Sequence, residues 1–278
     1  MVRYSKLAFR QLVRLYNVDV CYTPMIYAKN FLESEKCRNS ELSVCEGDSP
    51  LIVQFATDDP IVLAEAAEMV YACSNGVDLN CGCPKHDVRS KGFGSALLAK
   101  PELLADMVRQ TRARISDSEF SVSLKIRINN DIEKTVDLCR KAESAGVTCL
   151  TVHGRTPSQR AEPIDVQAVR IIKESVSVPI IANGGITTRD EALFLAEQTG
   201  VEGIMAANGL LDNPALFAGY EYTPSHCVKN FNGLDWMLYH QHLQYMLRPV
   251  LSSQQRRIFN ELNGRLAIDQ YLSNLLND

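Results

Sequence analysis

Short apolar runs alternate along this chain with longer segments whose apolar residues recur every three to four positions, a pattern that predicts strands feeding helices. The runs Val18–Thr23, Leu51–Phe55, Val77–Asn80, Val122–Arg127, Cys149–His153, Pro179–Asn183 and Gly203–Ala206 read as seven strands. An opening helix carries Tyr4, Leu7, Ala8, Leu12 and Leu15 on one face and stops at Asn17. Asp59 with Pro60, Asp131, Asp165 and the capping box from Thr188 to Glu191 mark helix starts, a further helix begins near Pro101, and Gly146 and Gly200 mark stops. None of the strands is patterned as a hairpin, so the sheet is expected to be parallel and covered on both faces. An α/β fold of the TIM (β/α)8-type barrel with its first strand missing accounts for the count. A doubly wound sheet is the competitor, but it calls for a glycine-rich dinucleotide turn after the first strand, and none is present.

From about Ser225 the pattern becomes helical only. Trp236, Tyr239, Leu243, Met246 and Val250 recur at helical spacing, Pro249 is expected to bend that helix, and Arg265–Leu276 forms another after Asn263 and Gly264. The expected organisation is a barrel over residues 1–222 and a small helical domain over 223–278. The helical part carries Arg248, Arg256, Arg257 and Arg265 as its positive charges.

With 46% hydrophobic and 22% charged residues in 278, the chain has the make-up of a folded globular protein. No run approaches the roughly 18 apolar residues of a membrane span, and the N-terminus lacks a signal-peptide core, so no membrane association is expected. Nine scattered cysteines suit a reducing compartment, a cytoplasmic or nuclear address. A net charge of -4 argues against non-specific coating of nucleic acid while leaving room for a local basic face.

Chemistry concentrates in Asp78-Leu-Asn-Cys-Gly-Cys-Pro84, where an apolar strand ends in polar, thiol-bearing residues. Cys83 stands between Gly82 and Pro84, with Lys85, His86 and Arg89 close behind as positive charges that tune a thiol. Cys81 and Cys83 lack the further ligand pair that a structural zinc site requires, so no metal is expected; the plain alternative is two buried thiols. In a barrel the C-terminal strand ends share one mouth, here furnished by Gln54, Asn80, Lys125, His153 and Asn183. A lysine at Lys125 needs an anion, an electron-rich ring or a carboxylate partner, and His153 alone reads equally as a hydrogen-bonded core residue. Asn183-Gly184-Gly185 and Ala207-Asn208-Gly209 close the last two strands with glycines before helices; they are either tight turns or a phosphate cradle. Together these residues describe a flavin mononucleotide (FMN) site with a proton donor opposite.

The motifs Asp78–Pro84, Ser123-Leu-Lys-Ile-Arg127, Val152-His-Gly-Arg-Thr156, Ile181-Ala-Asn-Gly-Gly-Ile186 and Asp212-Asn-Pro214 closely resemble those of the tRNA-dihydrouridine synthases, in order and spacing, over essentially the whole chain. The opening run Met1–Arg10 resembles the eukaryotic dihydrouridine synthase 4 type. The resemblance implies an enzyme that reduces uridine in tRNA with FMN, and with NADPH or NADH as reductant. Hydride passes from reduced flavin to C6 of a uracil flipped out of the stack, and Cys83 protonates C5. It also implies that Met1, Gln54, Lys125, His153, Asn183, Gly184, Gly185, Ala207 and Asn208 hold the flavin. Asn80 would orient the base, and Arg155 and Thr156 would contact flavin or RNA. The arginines beyond Ser225 would face tRNA phosphates.

Two departures from the family pattern stand out. Family members carry a strand ending Ala-Pro-Met before the first helix, of which Met1 is what remains here, so a shortened product of a longer enzyme is expected. A barrel strand buries side chains worth on the order of 10 kcal/mol together. Asn208 stands where the family has arginine, which predicts looser flavin binding. Two alternative functions are an FMN barrel acting on free pyrimidines, which has no need of the helical domain, and an inactive chain retaining RNA or protein contacts.

Overall fold

The computed structural model describes residues 3–275, apart from the side chain of Asn230. Met1, expected at the flavin, falls outside the described residues.

Helix α1 (Leu7–Arg14) buries Phe9, Arg10, Leu12 and Val13, and the chain leaves it through Asn17, whose φ of 64° no helix accommodates. The face expected from the sequence is therefore rotated: Leu15 is exposed, and Leu7 and Ala8 are only partly covered. The cause is Arg10, whose guanidinium lies fully inside and grips Asp48 at 2.6 Å while donating to the backbone oxygens of Ser5 and Ser43. A buried charge is tolerated only with its partners in place, so this pair clamps α1 to the loop before the central sheet.

The first strand position is broken in two. β1 (Cys21–Tyr22) and β2 (Ile26–Tyr27) both pair with β3 (Leu51–Ala56), and the run expected over Val18–Thr23 is correspondingly shorter. Pro24 has no N–H to give a ladder. The Thr23 hydroxyl fills the gap, accepting the Gln54 N–H at 3.0 Å and donating to the Pro24 oxygen at 2.9 Å. Helices α2 (Ala28–Glu33) and α3 (Glu35–Glu41) follow before β3, anchored by Phe31 packing on Phe55.

Then strand and helix alternate: α4 (Pro60–Val70), β4 (Gly76–Cys81), α5 (His86–Arg89), α6 (Pro101–Arg114), β5 (Ser121–Arg127), α7 (Ile132–Ser144), β6 (Cys149–His153), α8 (Val166–Ser175), β7 (Ile180–Asn183), α9 (Arg189–Thr199), β8 (Gly203–Met205) and α10 (Asn208–Asp212). The expected caps are in use, with Asp59, Asp131 and Asp165 accepting first-turn N–H groups and Thr188 with Glu191 forming a reciprocal box. All strands are parallel and neighbours in chain order, from β1 and β2 through β3 to β8. The described residues show no pairing between β8 and β1, so the barrel is open along one seam.

Because successive strand side chains alternate, register sorts the interior into rows. Gln54, Asp78, Ser123 and Cys149 form one row; Asn80, Lys125 and Thr151 the next; Arg127, His153 and Asn183 the uppermost. The opposite faces carry Leu79, Cys81, Leu124, Ile126, Leu150 and Val152, all sealed under the helices.

Helices α11 (Ser225–Asn230), α12 (Trp236–Leu247), α13 (Ser253–Glu261) and α14 (Arg265–Leu275) complete the chain. Helix α12 stops before Pro249 instead of bending there, and α13 follows with a Ser252–Gln255 capping box the sequence reading did not single out. The helical segment rests on α1 through His242, whose ring stacks on Phe9 at 4.9 Å and meets Tyr4 edge-on at 5.5 Å. Burial lowers the pKa of that imidazole to about 4, against the opposing effect of the Tyr4 backbone. Among the described residues no helix is long and apolar enough to cross a membrane.

Candidate active site

Parallel strands deliver the last side chain of each inward row to one end of the sheet, and a cavity of about 890 Å³ opens there. Gln54, Asn80, Cys83, Lys125, His153, Asn183 and Ala207 all line it. The same cavity continues down the open seam, between Phe9 and Val13 of α1 on one side and Ile181 and Gly203 on the other.

Cys83 is half-buried on the loop after β4, and its place is set by backbone contacts on both sides. Its N–H donates to Asn80 Oδ1 at 2.9 Å, and its oxygen accepts from Ser95 N at 3.0 Å. Gly94 lies so close that a Cβ there would stand 2.7 Å from the Cys83 oxygen. Lys125 and Arg127 are near enough for the Cys83 thiol to act on their charges. Cys81 belongs to the opposite face of β4, fully buried, where burial holds its thiol well above the usual range.

Lys125 donates to Asn183 Oδ1 at 2.8 Å, and the Asn183 amide donates in turn to the Met205 oxygen at 2.7 Å, which ties β5, β7 and β8 together at the mouth. Burial pushes the Lys125 ammonium below its ordinary pKa, against the opposing pull of Asp78. The expected carboxylate partner is thus Asp78 acting through space, with Asn183 as the hydrogen-bonded neighbour. His153 is lowered to about 3, first by burial and then by the charges of Lys125, Arg127 and Arg155, so its ring is neutral at physiological pH.

Other expected residues lie around the mouth rather than on the cavity wall. Gly184 and Gly185 have φ of 130° and 72°, and a Cβ on Gly184 would fall 2.8 Å from His153 Cδ2 and 2.6 Å from Ile164 Cγ2. Arg155 packs by Gly185 and approaches His153 Nε2 at 3.4 Å, while donating to the Glu162 oxygen. Thr156 supports the site from behind, its backbone oxygen accepting from Arg127 at 2.8 Å. Asn208 opens α10 next to Ala207. Asn80 engages both halves of its amide within the protein, toward Gln54 and toward the Cys83 loop.

Sequence alone assigns no role to Arg127, Tyr22 or Asp78, yet the structure puts the first two on the cavity wall and Asp78 directly beneath. Arg127 and Asp78 carried a readable signal, since each lies two residues from a chosen partner on the same strand face. Tyr22 carried none, because the break at Pro24 hides the direction of its strand.

Comparison with known proteins agrees with this geometry. The profile of the dihydrouridine synthase family matches residues 1–267. A tRNA-dihydrouridine synthase-like protein of Caenorhabditis elegans is 86% identical, the match covering 99% of each chain. The mouse protein named tRNA-dihydrouridine(20a/20b) synthase [NAD(P)+]-like is 50% identical over 100% of this chain and 88% of its own. Among solved structures, a variant of NCR from Zymomonas mobilis shares the barrel architecture, with a TM-score of 0.55 over 84% of this chain and 86% of that one at 11% identity. From its inward rows of polar side chains to its sequence relatives, the chain belongs to the dihydrouridine synthase family.

Proposed function

We propose that this protein reduces uridine to 5,6-dihydrouridine in tRNA, using FMN that NADPH or NADH has reduced. The observation that carries the reading is a thiol, Cys83, brought to the same cavity mouth that Lys125, His153 and Asn183 rim.

The residues present fit a flavin nucleotide. Gln54, Lys125 and Asn183 would meet the polar edge of its ring system, and Thr151 Oγ1, in the same row as Lys125, has no hydrogen-bond partner among the described residues. The Gly184–Gly185 turn, where a Cβ on Gly184 has no room, would bring backbone N–H groups against the phosphate together with the Ala207–Asn208 start of α10. Neutral His153 would add a hydrogen bond without a charge. When bound, reduced flavin would supply the hydride taken up at C6 of the uracil.

The protein's own contribution is the proton. Cys83 gives its S–H proton to C5, so the C5–C6 double bond is saturated by one hydride and one proton, and a thiolate remains. Lys125 and Arg127 stand near enough to interact with its charge. The relatives named for positions 20a and 20b support those uridines as the targets. Of the arginines expected to face RNA, Arg248 is paired with Asp212, Arg257 with Glu261, and Arg265 with Asp269 while lying over the Tyr239 ring at 4.2 Å. All three pairs are solvent-accessible and of the weak kind that phosphates displace.

The test is to incubate the purified chain with FMN, NADPH and tRNA transcripts and to measure dihydrouridine by nucleoside mass spectrometry. Turnover is expected, and Cys83→Ala should reduce it on the order of 100-fold or more while leaving flavin absorbance intact. A Cys83→Ala protein as active as the parent would sink the proposal.

A further inference from the structure

Asp78 is fully buried below the cavity, and the mechanism above gives it nothing to do. Its two oxygens are both occupied: Oδ2 accepts from Gln54 Nε2 at 2.8 Å, and Oδ1 accepts from the Ser123 hydroxyl at 2.8 Å. Burial raises its pKa to about 7, against the hydrogen bonds from Gln54 and Ser123 and the charge of Lys125, and with both oxygens accepting, Gln54 turns its NH2 toward Asp78 and its oxygen the other way. That oxygen accepts from Asn80 Nδ2 at 3.0 Å, which obliges Asn80 to aim its own oxygen at the loop. There it accepts the N–H groups of Gly82 at 3.2 Å and Cys83 at 2.9 Å.

Each amide in this relay has two orientations of nearly identical shape. The carboxylate removes the ambiguity. If both amides were reversed, Asn80 would present its NH2 to the Cys83 N–H, donor against donor, and the loop would lose its anchor.

We infer that Asp78 is a positioning residue for the proposed reaction: by fixing the orientation of Gln54 and then Asn80, it holds the Cys83 loop where the thiol meets the substrate. The inference rests on the uridine-reductase reading. Asp78 acts through the relay and touches neither substrate nor flavin. Its neighbours in register account for the arrangement, since Gln54, Asp78 and Ser123 face one another across β3, β4 and β5, and Asn80 follows on the same face of β4.

The experiment compares Asp78→Asn, Asp78→Leu and Gln54→Met with the parent chain. Asn at position 78 offers an oxygen to Gln54 and an NH2 to Ser123, whose hydroxyl is already within 3.3 Å of the Val77 oxygen as an alternative acceptor. It therefore preserves the relay without the charge, whereas Leu removes it and Gln54→Met cuts it one link later. Two readouts are taken: kcat and KM for tRNA in the flavin-loaded enzyme, and the rate at which iodoacetamide alkylates Cys83 in the flavin-free chain. The alkylation rate is mapped by peptide mass spectrometry against buried Cys139 and Cys227, whose protection reports whether each variant is folded.

Expected for Asp78→Leu and Gln54→Met is a fall in kcat of about 100-fold, the size that a misplacement near 1 Å produces. KM for tRNA stays within threefold, Cys83 alkylation shifts at least fivefold, and Cys139 and Cys227 stay protected. Asp78→Asn should stay within threefold of the parent in every readout. Equal losses in Asp78→Asn and Asp78→Leu would overturn the inference in favour of a role for charge, and so would unchanged Cys83 alkylation in both relay-breaking variants. Should Asp78→Leu not fold, Gln54→Met and Asp78→Asn decide the matter. A parent chain that makes no dihydrouridine while its Cys83 alkylation responds as described would refute the reductase reading and leave the relay standing.

Discussion

His242→Phe isolates one electrostatic cost at the joint between α12 and α1. An imidazole in the unfolded chain titrates near pH 6.5, whereas in the fold burial holds it to about 4. The folded state thus refuses a proton that the unfolded state accepts, so stability is complete above the unfolded pKa and drains away as pH falls from 6.5 toward 4. Linkage puts the cost at about 0.2 kcal/mol at pH 7, about 2 kcal/mol at pH 5, and about 3.4 kcal/mol once both states are protonated. Phenylalanine keeps the ring contacts with Phe9, Tyr4 and Phe231 and removes the titration. Any change in packing shifts the variant by a constant amount at every pH. His153, which titrates in the same window, is present in both proteins and cancels. Urea unfolding monitored by circular dichroism at pH 7, 6 and 5 should show the stability of His242→Phe gaining about 2 kcal/mol on the parent between the first and last pH. Parallel pH profiles would refute the reasoning, because they would mean that His242 takes up its proton as readily in the fold as out of it.

Asp48→Asn leaves the Arg10 guanidinium buried without its counter-charge and should cost about 3 to 5 kcal/mol, read as a lower urea midpoint; a loss below about 1 kcal/mol would mean the pair behaves like one on the surface. Gly184→Ala forces a methyl group against His153 and Ile164 in a backbone conformation that disfavours side chains, so flavin binding should weaken about tenfold, equivalent to about 1.4 kcal/mol. A fluorescence titration with FMN checks it, and an unchanged dissociation constant would show that the His153 ring can move aside freely.

Much of this architecture could be read from local pattern. The caps at Asp59, Asp131, Asp165 and Thr188 are chemical statements made within four residues, and the structure uses each of them. The mouth residues Gln54, Asn80, Lys125, His153 and Asn183 were legible for a similar reason, since polar side chains in otherwise apolar strands rarely occur without a use. What escaped depends on distant parts of the chain. The burial of Arg10 is decided by Asp48, 38 positions away, so helical periodicity alone assigned the wrong face of α1. The break at Pro24 is made tolerable by a hydroxyl bond to Gln54, 31 positions on. Asp78 was quoted within a motif without a role, because a carboxylate acting through two amides has no signature in spacing.

The split first strand matters beyond local geometry. A parallel sheet that ends in unpaired N–H and C=O groups invites a second molecule to extend it, which is how ordered aggregates begin. Among the described residues, one border offers Cys21–Tyr22 and Ile26–Tyr27 with a proline between them, and the other Gly203–Met205. Neither is long enough to template a regular ladder with a foreign chain. Replacing Pro24 and Thr23 by residues that let the strand run unbroken would lengthen that border, and the penalty would show up in colloidal behaviour before it showed up in catalysis.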